Sequence, residues 1–116
     1  MSHTQPTALV LWGDYFDEAA AVRYITERRK EGLRVKLVAV HSRCAKGMYG
    51  IKVTADLTVE EALSQANAIS QLFVPCCTSQ FMQLCLDPRI ENLVKLARER
   101  GGEVVLREGG DGRMVR

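Results

Sequence analysis

The sequence predicts an α/β fold: a doubly wound, mostly parallel sheet of about five strands with helices on both faces. Three observations lead there. The run Thr7–Trp12 (TALVLW) is apolar without alternation, as a central strand buried on both faces requires. Arg34–His41 (RVKLVAVH) is a second such run, set off from the first by a long amphipathic stretch. Strand, long helix, strand implies a parallel pair joined by a right-handed crossover. Two later apolar runs, Ala68–Val74 and Glu103–Leu106, flank another helical pattern and continue the alternation.

The elements follow in chain order. Gly13-Asp14-Tyr15-Phe16-Asp17 breaks the first strand and offers aspartates for capping. Asp17–Glu31 carries alanines, Val22 and Ile25 on one side with Arg23, Glu27 and Lys30 on others, a helix closed by Gly32. After the strand Arg34–His41, SRCAKGMYG is rich in turn formers, and Ile51–Val53 reads as a short strand. Thr58-Val59-Glu60-Glu61 is a capping box that starts a helix over Val59–Gln65. Pro75 ends the strand Ala68–Val74, and Cys76-Cys77 then precede a helix cap at Thr78/Ser79. Asp87-Pro88 is a helix start, N-cap followed by proline in the first turn. Ile90, Leu93, Val94 and Ala97 recur at helical spacing up to Arg100, and Gly101-Gly102 stop that helix before Glu103–Leu106.

A chain of 116 residues, 47% hydrophobic and 26% charged, supports one domain with a real core. Scaling laws let a chain of this size bury about two-thirds of its extended surface. The domain is expected over residues 7–107, between a disordered start (1–6) and a glycine-rich, flexible tail (108–116). Sixteen basic and 14 acidic residues leave a formal net charge of +2, which gives no electrostatic reason to bind nucleic acid. No stretch approaches the roughly 18 apolar residues of a membrane span, and MSHTQPTALV lacks the pattern of a signal peptide. A cytoplasmic location is expected. The four cysteines show no C-x-x-C spacing and have only His3 and His41 for company, so neither a disulfide framework nor a zinc site is expected.

In doubly wound sheets ligands bind beyond the carboxyl ends of the strands. The loop after the first strand is acidic and has only Gly13, with neither a P-loop nor a G-x-G-x-x-G, so no nucleotide or other cofactor is expected.

The order of motifs resembles the ThiJ/PfpI superfamily, the class I glutamine-amidotransferase-like proteins that include the Parkinson-associated deglycase. The resemblance is carried by TALVLW, YFDEAAAV, GMYGIKVTADLTVEEA, LFVP and GEVVL, with Gly50–Ala62 the most specific piece. It spans Thr7 to Gly110 and implies a flavodoxin-like fold of which this chain holds the first part. The resemblance also implies where catalytic residues belong. Phe16, Asp17 and Glu18 keep the family's F-E-D-x-E pattern, but Ala20 stands at the glutamate position. Pro75 matches a proline-glycine-glycine turn whose two glycines are replaced by Cys76 and Cys77. Glu108 falls at the nucleophilic cysteine, and the assisting histidine has no counterpart. The expectation is a pseudoenzyme with no catalytic residue, whose remnant pocket gathers Trp12, Asp14, Asp17, Glu18, His41, Pro75, Cys76, Cys77 and Glu108.

Several of these residues admit a plainer reading. Cys76 and Cys77 are candidate redox thiols, since a helix N-terminus lowers a thiol pKa, or else a turn with one cysteine packed inward. Asp14, Asp17 and Glu18 suit a hard cation, or simply cap the first helix. Trp12 lines a pocket or fills the core. A short chain of this fold leaves one face of its sheet thinly covered, so a homodimer or larger assembly is expected, through the first helix and the helix around Phe81–Leu86. The leading functional expectation is a non-catalytic scaffold that binds a protein partner or a small ligand. The alternatives are a thiol-dependent enzyme or redox sensor using Cys76 or Cys77, and a generic α/β binding module.

Overall fold

The computed structural model describes residues 7–65, 69–106 and 113–114. The expected terminal segment 1–6, almost all of the tail 108–116, and Glu108 with it, lie outside the described residues. Eight strands and four helices occur among those described. The first half comprises β1 (Thr7–Trp12), α1 (Glu18–Lys30), β2 (Arg34–Ala39), β3 (Cys44–Lys46), β4 (Lys52–Thr54), β5 (Leu57–Thr58) and α2 (Val59–Gln65). It continues with β6 (Ile69–Val74), α3 (Thr78–Leu84), α4 (Pro88–Glu99), β7 (Glu103–Leu106) and β8 (Arg113–Met114).

The main sheet runs β5-β2-β1-β6-β7-β8. Its first five strands are parallel, and β8 pairs antiparallel with β7 at the edge. This is the doubly wound α/β architecture expected from the apolar runs. The step from β1 to β2 and the step from β5 to β6 move in opposite directions along the sheet. Right-handed crossovers therefore put α1 on one face and α2 with α4 on the other. β1 is central and fully covered: Ala8, Leu9, Val10, Leu11 and Trp12 are all buried. Tyr24 of α1 stacks on Phe73 of β6 at 4.4 Å, and Ile90, Leu93, Val94 and Ala97 of α4 pack the opposite side.

Local chemistry sets most boundaries. Asp17 caps α1, its carboxylate accepting the Ala20 N–H at 3.0 Å. The capping box closes in both directions at α2. Thr58 N–H donates to Glu61 Oε1 at 2.9 Å, and Glu61 N–H to Thr58 Oγ1 at 3.1 Å. Asp87 caps α4 through the Arg89 N–H at 2.9 Å, with Pro88 in the first turn.

Four details differ from the sequence reading. β2 stops at Ala39 rather than His41, because β1 has already turned away at Gly13. Val40 N–H still reaches Trp12 O at 2.8 Å, but His41 has no neighbouring strand. β3 forms inside the supposed turn region and pairs with β4, whose bounds lie one residue later than expected. β5 joins the main sheet beside β2, steered there by Asp56: Leu37 N–H donates to Asp56 Oδ2 at 2.9 Å, and Asp56 N–H to Leu37 O at 2.8 Å. Finally, Thr78 is already helical, and the N-cap of α3 is Cys77, in an extended conformation with no side-chain capping bond.

Candidate functional site

The carboxyl ends of β1, β2 and β6 converge on the loop 13–17, which is stitched to its neighbours by backbone bonds. Tyr15 N–H donates to Lys46 O at 2.9 Å, Met48 N–H to Phe16 O at 2.8 Å, and Asp17 N–H to Pro75 O at 2.9 Å. Within this loop Tyr15 lies in the left-handed region, φ 67°. For a residue other than glycine that is strained, by about 1–3 kcal/mol. Its side chain is left 74% exposed.

Glu18, the first residue of α1, points into the β3–β4 hairpin and is only 3% exposed. Its carboxylate accepts the Ile51 N–H at 2.8 Å and the Tyr49 N–H at 3.1 Å. Burial pushes this carboxyl up, but N–H donation from Ile51, from its own backbone and from Tyr49 outweighs it and holds the group below its ordinary range. Gly47 makes the approach possible, because a Cβ there would overlap the Glu18 carboxylate.

At the end of β6, Pro75 and Cys76 are buried, Cys76 at 1% exposure. Cys77 is half-buried, its sulfur 3.2 Å from Ser79 Oγ and 3.8 Å from Gln80 Oε1. The hydrogen bond with Ser79, then backbone N–H groups of the α3 turn, hold the Cys77 thiol below its ordinary pKa. Burial pushes Cys85 the other way. Among the described residues no group of three or more His, Cys, Asp or Glu is arranged to hold a metal ion.

A pocket of about 420 Å³ opens between the ends of β1 and β2 and the helix α3. Gly13, Phe16, Val40 and Leu84 form its apolar part, and Asp14, His41, Gln80, Gln83 and Asp87 its polar part. Beside it, Arg89 makes four hydrogen bonds to three residues. Nη1 meets Glu60 at 2.9 Å, Nη2 meets Val40 O at 3.1 Å and Asp87 Oδ2 at 3.0 Å, and Nε meets Asp87 Oδ1 at 3.3 Å. The guanidinium holds both the Asp87 and Glu60 carboxyls below their usual range.

Of the residues expected in a remnant pocket, the structure brings Asp14 and His41 to this one. Trp12 is fully buried, and its Nε1–H donates to Ala45 O at 3.2 Å. Asp17 and Glu18 face backbone N–H groups, Pro75 and Cys76 lie in the interior, and Cys77 stands one turn before Gln80. Ala20 is half-buried against the core. The other seven lining residues, Gly13, Phe16, Val40, Gln80, Gln83, Leu84 and Asp87, are not in the expected set. Their one sequence signal was Gln80, Gln83 and Leu84 recurring at helical spacing after Pro75, which puts them on one face.

Neither a family model nor a curated protein matches the sequence. Solved structures do match the fold. A DJ-1 superfamily protein from Salmonella typhimurium superposes with a TM-score of 0.75 at 20% identity, over 88% of this chain and 55% of that one. Drosophila melanogaster DJ-1beta gives 0.76 at 13% identity, over 89% and 55%. Oxidized Toxoplasma gondii DJ-1 gives 0.74 at 18%, over 87% and 54%. The chain thus has the flavodoxin-like α/β fold of the DJ-1/ThiJ/PfpI superfamily. It spans a little over half the length of these solved chains.

Proposed function

We propose that this chain is a non-catalytic binding scaffold on a DJ-1/ThiJ/PfpI-like fold, working through self-association or a partner together with a small-ligand pocket. The observation that carries the reading is the use made of Glu18. The acid at the head of the first helix faces backbone N–H groups of the hairpin, where it holds structure and offers no open base to a substrate. Ala20, which stands where the resemblance puts a glutamate, adds a methyl group to the core. Association is supported by exposed apolar side chains on the two expected elements: Val22 on α1 (57%), and Met82 and Leu86 at α3 (65% and 77%). A further patch of Tyr15, Met48, Tyr49 and Ile51 surrounds the hairpin. Large apolar groups gathered this way favour burial against another surface.

A second reading rests on Cys77, whose half-exposed and acidified thiol suits redox chemistry. Iodoacetamide labelling of the native protein from pH 5 to 9, mapped by mass spectrometry with the assembly mass recorded alongside, separates the two. A labelling midpoint at Cys77 within about one unit of the free-thiol value near 8.5, in an assembly larger than one chain, is the expected result. A midpoint two or more units lower gives the thiol reading precedence, and a one-chain mass removes self-association.

A further inference from the structure

The pocket at the ends of β1 and β2 contains polar groups that the fold leaves unused. Among the described residues the Asp14 carboxylate takes only the Lys46 N–H, at a long 3.4 Å. The imidazole of His41 and the side-chain amide of Gln83 have no hydrogen-bond partner among the described residues. Gln80 uses only its Oε1, toward Cys77. Surface groups are ordinarily satisfied by water, but these four meet over one cavity with an apolar wall of Phe16, Val40 and Leu84. A few convergent polar groups over an apolar surface are what small-molecule sites present.

The charge of the lining narrows the ligand. Two carboxylates, Asp14 and Asp87, face the pocket, and no lysine or arginine lines it among the described residues. Arg89, beside the pocket, already donates to Glu60, Asp87 and Val40, which leaves it little donor capacity for an incoming anion. Asp87 is paired with Arg89, which it shares with Glu60, whereas Asp14 has no ion pair among the described residues. We propose that this pocket binds a small organic cation, a primary amine on an apolar body. The ammonium group pairs with Asp14 and donates to the Gln83 amide oxygen, while the apolar body lies on Phe16 and Leu84. A phosphate or carboxylate ligand would instead meet the Asp14 carboxylate with no lysine or arginine among the described lining residues to offset it. The volume of about 420 Å³ accommodates one ring with a short side chain and falls within the ordinary range for ligand sites.

This inference rests on the binding-scaffold reading, but its test is independent of thiol labelling and assembly mass. Phenethylamine and phenylacetate, similar in size and opposite in charge, are titrated into the full chain at about pH 8 and followed by ¹H–¹⁵N amide shifts. Phenethylamine is expected to move the Gly13, Val40, Gln80 and Leu84 amides, and phenylacetate to leave them in place. Asp14→Asn, at an exposed position, is expected to weaken phenethylamine by up to roughly fivefold, the weight of one exposed ion pair. Gln83→Trp, also exposed, is expected to fill the mouth and abolish the shifts, with the remaining spectrum reporting an intact fold. Equal or tighter binding of phenylacetate, no shift with phenethylamine, or an unchanged affinity in Asp14→Asn overturns the proposal. If the amine fails while labelling and mass come out as expected, the scaffold reading stands without this ligand.

Discussion

The Glu18 carboxylate lies 2.8 Å from the Ile51 nitrogen, a bond that joins positions 33 residues apart. Through it, and through the Tyr49 N–H, the head of α1 holds the tip of the β3–β4 hairpin. The hairpin makes no strand pairing to the main sheet. Its attachment depends instead on this carboxylate, on the backbone bonds of Tyr15 and Met48, and on the Trp12 indole.

That dependence gives a pH prediction. A folded-state pKa below the usual value of 4.5 means the ionised group stabilises the fold above that value. The stabilisation is lost as pH falls through the lowered folded pKa. Protection of the Tyr49 and Ile51 amides, taken relative to the intrinsic exchange rate at each pH, is expected to fall on acidification below about pH 4.5. In Glu18→Gln the same amides should exchange fast already at pH 7 and respond less to acid. Protection at Tyr49 and Ile51 that is unchanged by the substitution would show that the hairpin is held by other contacts.

Gly47→Ala tests the same contact sterically. The added Cβ meets a carboxylate pinned by two N–H groups, so either Glu18 or the hairpin must move. A loss of about 1–3 kcal/mol is expected, as for overpacked sites, read from urea denaturation. Combined with Glu18→Ala, which makes room, the cost of the alanine should largely vanish. Additive losses in the double variant would place the strain elsewhere.

Trp12 reports on the interior. It is the sole tryptophan, fully buried, edge-on to Phe16 at 6.2 Å, with its N–H on Ala45 O. Its emission should be blue-shifted and resistant to acrylamide. Trp12→Phe leaves Ala45 O without this donor and opens a small cavity, a combined cost of about 2–4 kcal/mol. Strong quenching in the native state would count against a buried indole.

The cysteines should react in order. Cys77, acidified chiefly by the Ser79 hydroxyl, is expected to be alkylated faster at neutral pH than Cys85, whose thiol is pushed up by burial. Buried Cys76 should label only on unfolding. Ser79→Ala should raise the Cys77 midpoint toward that of a free thiol. An unmoved midpoint would assign the shift to the backbone of the α3 turn.

Much of the fold was legible because its determinants are local. The apolar runs of β1 and β2, the Asp17 and Asp87 caps and the Thr58/Glu61 box each act within a few residues, and each appears where the sequence places it. β3 and β5 were not legible: at three and two residues they are too short to show a period, and pairing partners rather than propensity create them. The site was legible in its location, at the carboxyl ends of the strands, and in Asp14 and His41. It was not legible in Gln80, Gln83 and Leu84, which read equally well as the surface of a short helix.

Residue type and local spacing by themselves determined the doubly wound class, the order of the longer strands and the helices, and the absence of nucleotide-binding motifs. Tertiary structure alone decided that Glu18 serves the hairpin, that Trp12 belongs to the core, and that Asp14 faces Gln83 across a cavity. The reason is physical. A cap or an apolar period is satisfied by neighbours along the chain, whereas the partner of a buried carboxylate or the far wall of a pocket is supplied by residues tens of positions away.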